Sequence, residues 1–255
     1  MKYPDDFINK IILGDCLDIM KDIPDSSINL IITDPPYGID YQSNRQAIDR
    51  KRSNQRKGDV NIRQKYFSKI KNDVEVPVEW IKESFRVLKG NSALYVFCRW
   101  DKIQKIIDYA ESVGFKTKNF IILRKSNHGM GDLKGQYAPT YEGLLYFSKD
   151  RHILHKRLND VIDVPVKFSG SIRLHPNEKP ESWFMPFIEN SSEIKDTILD
   201  PFVGSGTMAM VCKNLDRKFI GIEKDEKYYQ VACERIGQKP NIEVSNEGVE
   251  WEAWK

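Results

Sequence analysis

Two periods of apolar residues run along the chain. Short runs rich in β-branched or aromatic residues occur at Lys10-Ile11-Ile12-Leu13, Ile28-Asn29-Leu30-Ile31-Ile32, Ala93 to Cys98, Asn119 to Leu123, Gly143 to Phe147, Thr197-Ile198-Leu199 and Lys218 to Ile222. Such runs, bounded by turn residues, predict buried strands. Between them apolar residues return at helical spacing, which predicts helices over 16–21, 78–88, 102–113, 181–189, 208–215 and 224–236. Lys89-Gly90 and Gly114 read as helix stops and Asp101 as an N-cap. Strands that alternate with helices imply an α/β fold built on a doubly wound, mostly parallel sheet. The runs at 119–123 and 143–147 have no helix between them and predict an antiparallel edge pair.

The pattern breaks at two places that can carry chemistry. Ile28–Ile32 is followed closely by Asp34-Pro35-Pro36-Tyr37-Gly38. Consecutive prolines fix the backbone and remove two N–H donors, so the Pro35 carbonyl is an acceptor held beside the Asp34 carboxylate. Tyr37 adds a flat face for a ring. Two acceptors and a platform suit an aromatic amine, although the same residues also satisfy an ordinary turn. The second break is Asp200-Pro201-Phe202-Val203-Gly204-Ser205-Gly206-Thr207, between a strand and a helix. Its glycines let backbone approach a ligand, and a helix start offers N–H groups to a carboxylate or phosphate. Gly204-x-Gly206-x-x-Ala209, with Glu223 ending the next strand, satisfies an adenosine-cofactor fingerprint in which Glu223 accepts from ribose hydroxyls. No Gly-Lys-Ser/Thr follows, which argues against a P-loop.

Asp-Pro-Pro-Tyr early, Asp-Pro-Phe-x-Gly-Ser-Gly-Thr late and Gly14-Asp15-Cys16-Leu17 near the start resemble, in this order, the beta class of DNA amino-methyltransferases. The match runs from about Ile11 to Ile236. It implies a Rossmann-like methyltransferase sheet with a small target-recognition insertion, placed at 148–174, and S-adenosylmethionine as cofactor. It implies catalytic roles for Asp34, Pro35, Pro36 and Tyr37, on which a base flipped out of double-stranded DNA would stack. Cofactor contacts carry over to Asp15 and Cys16, to Asp200, Phe202, Gly204, Ser205, Gly206, Thr207 and Glu223, and to Lys179. Asp15 would meet the cofactor's adenine, and it also suits a helix N-cap. Lys179, in His175-Pro176-Asn177-Glu178-Lys179-Pro180, would sit near the methionine carboxylate. In that class Asp at the first motif position goes with adenine N6 and Ser with cytosine N4. A homodimer and a cognate restriction endonuclease are compatible with the class.

Composition narrows the partners. With 255 residues and 40% apolar content, the chain has room for one sizeable domain over 1–255. The absence of a run of about twenty apolar residues and the polar start Met1-Lys2-Tyr3-Pro4-Asp5-Asp6 lead to the expectation of a cytoplasmic protein without a membrane partner. Cys16, Cys98, Cys212 and Cys233 form no Cys-x-x-Cys pair, and His152-x-x-His155 lacks further ligands in register, so no metal is expected. Residues 42–72 hold ten Lys/Arg against two Asp, a net +8 within a chain of net charge +3, which leaves −5 on the rest. This segment, which lacks apolar periodicity over 42–65, reads as a mobile loop that meets a polyanion through Arg45, Arg50, Lys51, Arg52, Arg56 and Lys57, and otherwise as a solvated loop. Lys156 and Arg157 join it as DNA-contact candidates, residues 126–137 read as a loop over the active site or as a plain surface loop, and Trp251 and Trp254 read as a core cap or interface.

The expected function is methyl transfer to adenine N6 in DNA. Cytosine-N4 methylation is the nearest alternative, and methylation of RNA or of a protein amide stands further off. A non-catalytic DNA-binding protein and an NAD-dependent oxidoreductase lie in other classes, the latter leaving Asp34 to Tyr37 without a purpose. All methyl-transfer readings require the Asp34–Tyr37 loop and the glycine turn to share one cleft.

Overall fold

The computed structural model describes residues 1–37, 76–126, 135, 137–165 and 179–241. Eight strands, β1 (Lys10–Leu13), β2 (Ile28–Thr33), β3 (Leu88–Cys98), β4 (Lys116–Lys125), β5 (Tyr141–Ser148), β6 (Val161–Val164), β7 (Thr197–Asp200) and β8 (Lys218–Glu223), form one sheet in the order β1-β8-β7-β2-β3-β5-β4-β6. Within it β5 alone runs against its neighbours, and every other pairing is parallel. Among the described residues six helices connect the strands: α1 (Cys16–Ile19), α2 (Trp80–Val87), α3 (Ile103–Ser112), α4 (Met185–Ser191), α5 (Thr207–Asn214) and α6 (Glu226–Ile236).

Alternation along the strands divides the core into two layers. On β3, Ala93, Tyr95 and Phe97 join a cluster with Phe187, Met208 and Ala232 of α4, α5 and α6. Leu94, Val96 and Cys98 point the other way and join Cys16, Trp80 and Ile106 of α1, α2 and α3. Helices therefore cover both faces, which is why the central strands read as unbroken apolar runs. Each large side chain so buried is worth roughly 1.5–3 kcal/mol.

What positions the site is the pairing of β2 with β7, parallel and in register at Leu30 with Ile198 and Ile31 with Leu199. Two motifs that are far apart in sequence thus leave the sheet side by side at its carboxyl edge, where open α/β sheets bind ligands.

Several local expectations change. Lys89-Gly90 does not stop a helix: Leu88 leaves α2 at φ −66, ψ 137 and pairs at once with Ile28, so both residues belong to β3. Asp101 does not cap α3; its carboxylate pairs with Arg99 and Lys102. The helix expected from residue 181 opens as a 3-10 turn over Glu181–Trp183 before α4 begins. The antiparallel pair forms as β4 and β5, and β6, which had no sequence signal, lies outside it. Residues 42–72, 127–134, 166–178 and 242–255 lie outside the described residues, and with them the basic segment, most of the 126–137 stretch, part of 148–174, His175 to Glu178, and both Trp251 and Trp254. Among the described residues no helix is long and apolar enough to cross a membrane.

Candidate active site

The end of β2 is tied to the end of β7 before either motif begins. Thr33 Oγ1 donates to Asp200 Oδ1 at 2.6 Å, and the Phe202 N–H donates to the same oxygen at 3.0 Å. Both side chains of the Thr33–Asp200 pair are buried. Burial pushes the Asp200 carboxyl up to about 7 against these two hydrogen bonds. Asp200 thus joins the two strand ends from beneath.

Above this link Asp34, half-buried, holds both carboxylate oxygens in use. Tyr37 Oη donates to Oδ1 at 2.5 Å, and the Lys179 ammonium donates to Oδ2. The same ammonium donates to Tyr37 Oη at 3.0 Å and lies over the rings of Phe97 and Tyr37, at 4.7 and 5.4 Å from their centroids. Burial, followed by the charge of Asp34, holds the Tyr37 phenol well above its usual value, so it remains a donor. Pro35 is buried beside it and Pro36 half-buried. The family pattern sets Lys179 by the cofactor's carboxylate; here it rests on the carboxylate of Asp34. A buried ammonium needs a counter-charge, and Asp34 supplies one.

The glycine turn follows. Gly204 and Gly206 adopt φ of 55° and 82°, left-handed values that favour glycine, and a Cβ on Gly206 would stand 3.3 Å from that of Ala232. The turn delivers the chain into α5, which opens without a side-chain cap. First-turn N–H groups of such a helix remain available to an anion. Glu223 braces the turn: Oε2 accepts from the Gly204 N–H at 2.9 Å and Oε1 from Asp225 N–H at 2.8 Å. Each carboxylate oxygen keeps a second lone pair for a ligand hydroxyl, and burial raises the Glu223 pKa. From α6, Arg235 reaches the Ser205 carbonyl at 3.3 Å, Thr207 Oγ1 at 3.1 Å and Glu181 Oε1 at 2.9 Å. Phe202 packs edge-on against Trp80 at 5.5 Å.

Asp15 accepts from Leu17 N–H at 2.9 Å, capping α1, and pairs with Lys224 at 2.7 Å. Burial would raise its pKa, but the Lys224 ammonium and the Leu17 N–H outweigh that and hold it below the usual carboxylate value. The Gly14 N–H bonds the Glu223 carbonyl at 2.9 Å, so Asp15 and Glu223 flank one stretch of the carboxyl edge. Cys16 is buried, which pushes its thiol up to about 12; it presents a neutral wall. Carboxylates for hydroxyls and amino groups beside helix N–H donors for an anion fit a nucleoside that carries an amino-acid carboxylate, the chemistry of S-adenosylmethionine. Among the described residues no group of three or more His, Cys, Asp or Glu is disposed to hold a metal ion.

The DNA-contact candidates separate. Lys156 and Arg157 have exposed side chains, but the Lys156 backbone is fixed to Asn190, near the end of α4 and on the side where β7 begins. That edge is about a strand length, on the order of 20 Å, from Asp34. Arg45, Arg50, Lys51, Arg52, Arg56 and Lys57 lie outside the described residues. Sequence reading missed Thr33, Arg235 and Glu181, which act across long separations. Trp100, 70% exposed, lies just past the end of β3 on the same edge of the sheet as Asp34.

Neighbouring strand ends of a doubly wound sheet thus carry a carboxylate-aromatic loop beside a glycine turn, the frame of a Rossmann-like methyltransferase. The profile of the DNA methylase family, N6 and N4 type, matches residues 28–234, and the chain belongs to that family. The chain is 30% identical to the type II methyltransferase M.HinfI of Haemophilus influenzae, over 92% of its own length and 70% of that protein's. It is 31% identical to the type II methyltransferase M.HpaI of Haemophilus parainfluenzae, over 91% and 75% of the two chains. Among solved structures, M1.HpyAVI in complex with SAM superposes with a TM-score of 0.61 at 25% identity, covering 89% of this chain and 97% of that one. The cytosine-N4-specific PvuII DNA methyltransferase gives 0.66 at 19% identity, over 91% and 87%, a likeness of fold.

Proposed function

We propose that the protein transfers the methyl group of S-adenosylmethionine to N6 of an adenine flipped out of double-stranded DNA. The observation that carries this reading is the Asp34–Tyr37 loop held next to the glycine turn by the Thr33–Asp200 hydrogen bond. The cofactor supplies a methyl already activated on a sulfonium. The protein's task is then to hold and polarise the amine. Asp34 and the Pro35 carbonyl accept from its two hydrogens, drawing the nitrogen lone pair out of conjugation and aiming it, and the proton that the methylated nitrogen must lose passes to Asp34 or to water. These bonds strengthen as positive charge develops on nitrogen, so they favour the transition state over the bound base. Tyr37 stacks on the flipped ring. Asp15 and Glu223 accept from the cofactor's amino and hydroxyl groups, the Gly204-Ser205-Gly206-Thr207 turn and the α5 start receive its carboxylate, and Phe202 and Cys16 wall the pocket over Asp200.

Asp34 favours adenine through the family pattern alone, because either base's amine makes the same two hydrogen bonds. The same reading takes residues 1–255 as one domain in the cytoplasm, with 42–72 on the phosphate backbone and 148–174 reading bases. The type II relatives support a cognate restriction endonuclease, and the class supports a homodimer. Incubation with unmethylated DNA and labelled cofactor, followed by nucleoside analysis, should yield N6-methyladenine; N4-methylcytosine would replace the adenine assignment. Asp34→Ala should bind cofactor normally and lose methyl transfer by about 10³-fold or more, and normal turnover in that variant would remove Asp34 from the mechanism.

A further inference from the structure

We infer that Lys179 is a positioning residue for Asp34: its ammonium occupies the acceptor that the target amine will use, and through Tyr37 it fixes the plane of the carboxylate. The inference rests on the methyl-transfer reading and deepens it at the same site.

Three observations support it. Lys179 is 8% exposed, and of the three hydrogens on its ammonium at least two are directed, one to Asp34 Oδ2 and one to Tyr37 Oη. Tyr37 in turn donates to Asp34 Oδ1, which closes a triangle that sets the plane of the carboxylate. An ammonium N–H and an exocyclic amine N–H are donors of the same kind, so Oδ2 is shaped for the incoming amine while Lys179 holds it.

The place of Lys179 is itself fixed from the cofactor side. Two residues on, Glu181 pairs with Arg235 at 2.9 Å, and Arg235 also holds the Ser205 carbonyl and Thr207 Oγ1 of the glycine turn. The turn's strand returns to the catalytic strand through Asp200 and Thr33. These contacts link the catalytic loop and the glycine turn in a closed ring, and Lys179 is the member that touches the reacting carboxylate. A cation left beside the amine would oppose the positive charge that develops there, so the ammonium yields Oδ2 as the amine binds and keeps its bond to Tyr37 Oη. Its contribution lies in holding Tyr37 on Oδ1, and so Asp34 in orientation, while the transfer takes place.

The test compares wild type with Lys179→Met, Lys179→Gln and Lys179→Arg in full-length protein. Single-turnover methyl transfer at saturating cofactor and DNA is read beside the cofactor Kd by calorimetry and base flipping by 2-aminopurine fluorescence at the target position. Lys179→Met and Lys179→Gln should lower the transfer rate about 100-fold, the usual cost of a small misplacement of reacting groups. Their cofactor Kd should stay within about threefold and flipping should persist, while Lys179→Arg, which keeps charge and donors but is bulkier and planar, recovers part of the loss. A cofactor Kd weakened tenfold or more with a near-normal transfer rate at saturation would assign Lys179 to the cofactor's carboxylate and overturn the inference alone. Equal rates in all four proteins would also overturn it. A wild-type chain that methylates no DNA removes the functional reading and this inference together. Should Lys179→Met fail to fold, Lys179→Gln set against Lys179→Arg makes the same comparison.

Discussion

At the scale of single residues, the two acidic groups of the paired motifs have opposite surroundings. Asp34 is half-buried and faces an ammonium, whereas Asp200 is buried and has, among the described residues, a hydroxyl and an N–H for partners. A carboxyl so buried favours its neutral form. Because folding raises this carboxyl to about 7, the folded chain holds a proton that the unfolded chain releases near pH 4. The Asp200 contribution to stability is therefore full below about pH 4 and is lost as pH rises through about 7, a change on the order of 2–4 kcal/mol. Thermal midpoints between pH 4 and 8 should fall more steeply in wild type than in Asp200→Asn, whose carboxamide keeps an acceptor and has no charge to bury. Parallel profiles would mean that Asp200 carries no such proton. Tyr37 allows a second measurement. If its ring is the platform for a flipped base, Tyr37→Trp should retain more activity than Tyr37→Ala, and equal losses would show that the hydroxyl on Asp34, not the ring, is what matters.

Elements bring these residues together, and here sequence and structure part at identifiable points. Apolar runs ending in Asp-Pro-Pro-Tyr and Asp-Pro-Phe make β2, β7 and their loops legible, because a strand buried on both faces has few polar positions. β6 was not legible: Val161-Ile162-Asp163-Val164 is short, charged within and exposed at two of its four positions, and forms by pairing with Arg124 and its neighbours on β4. Lys89-Gly90 carries a helix-stop signal, yet pairing of Leu88 with Ile28 takes those residues into β3. The contacts from Thr33 to Asp200, from Lys179 to Asp34 and from Arg235 to Glu181 join positions far apart in sequence and leave no local mark. They can still be tested at this scale. Arg235→Met removes the brace from α6 to both the glycine turn and the 3-10 turn after Lys179, leaving Glu181 with the Asn214 amide but no cation and Thr207 short of a donor. The variant should lose about 1–3 kcal/mol of stability and weaken cofactor binding several-fold, read by chemical unfolding and calorimetry. Normal cofactor affinity would show that the turn holds its shape without the brace.

Across the whole molecule, the distribution of charge decides where a polyanion can lie. Residues 42–72, with net charge +8, follow the catalytic loop directly in sequence, whereas the rest of the chain is net −5. The catalytic loop leaves the carboxyl edge of the sheet, and a base can reach Asp34 only if the duplex lies along that edge. Phosphate contacts release counterions, so each one lost flattens the dependence of log K on log salt by about 0.9. Neutralising Arg50, Lys51 and Arg52 together should weaken DNA binding and reduce the slope by up to about 2.7, the value for three lost phosphates. Neutralising Lys156 and Arg157, beside the opposite edge, supplies the contrast. If DNA approaches only from the Asp34 side, that pair should leave the slope nearly unchanged. A loss of slope from Lys156 and Arg157 together with none from Arg50 to Arg52 would mean that the duplex binds along the other edge, and the basic segment would then be a solvated loop.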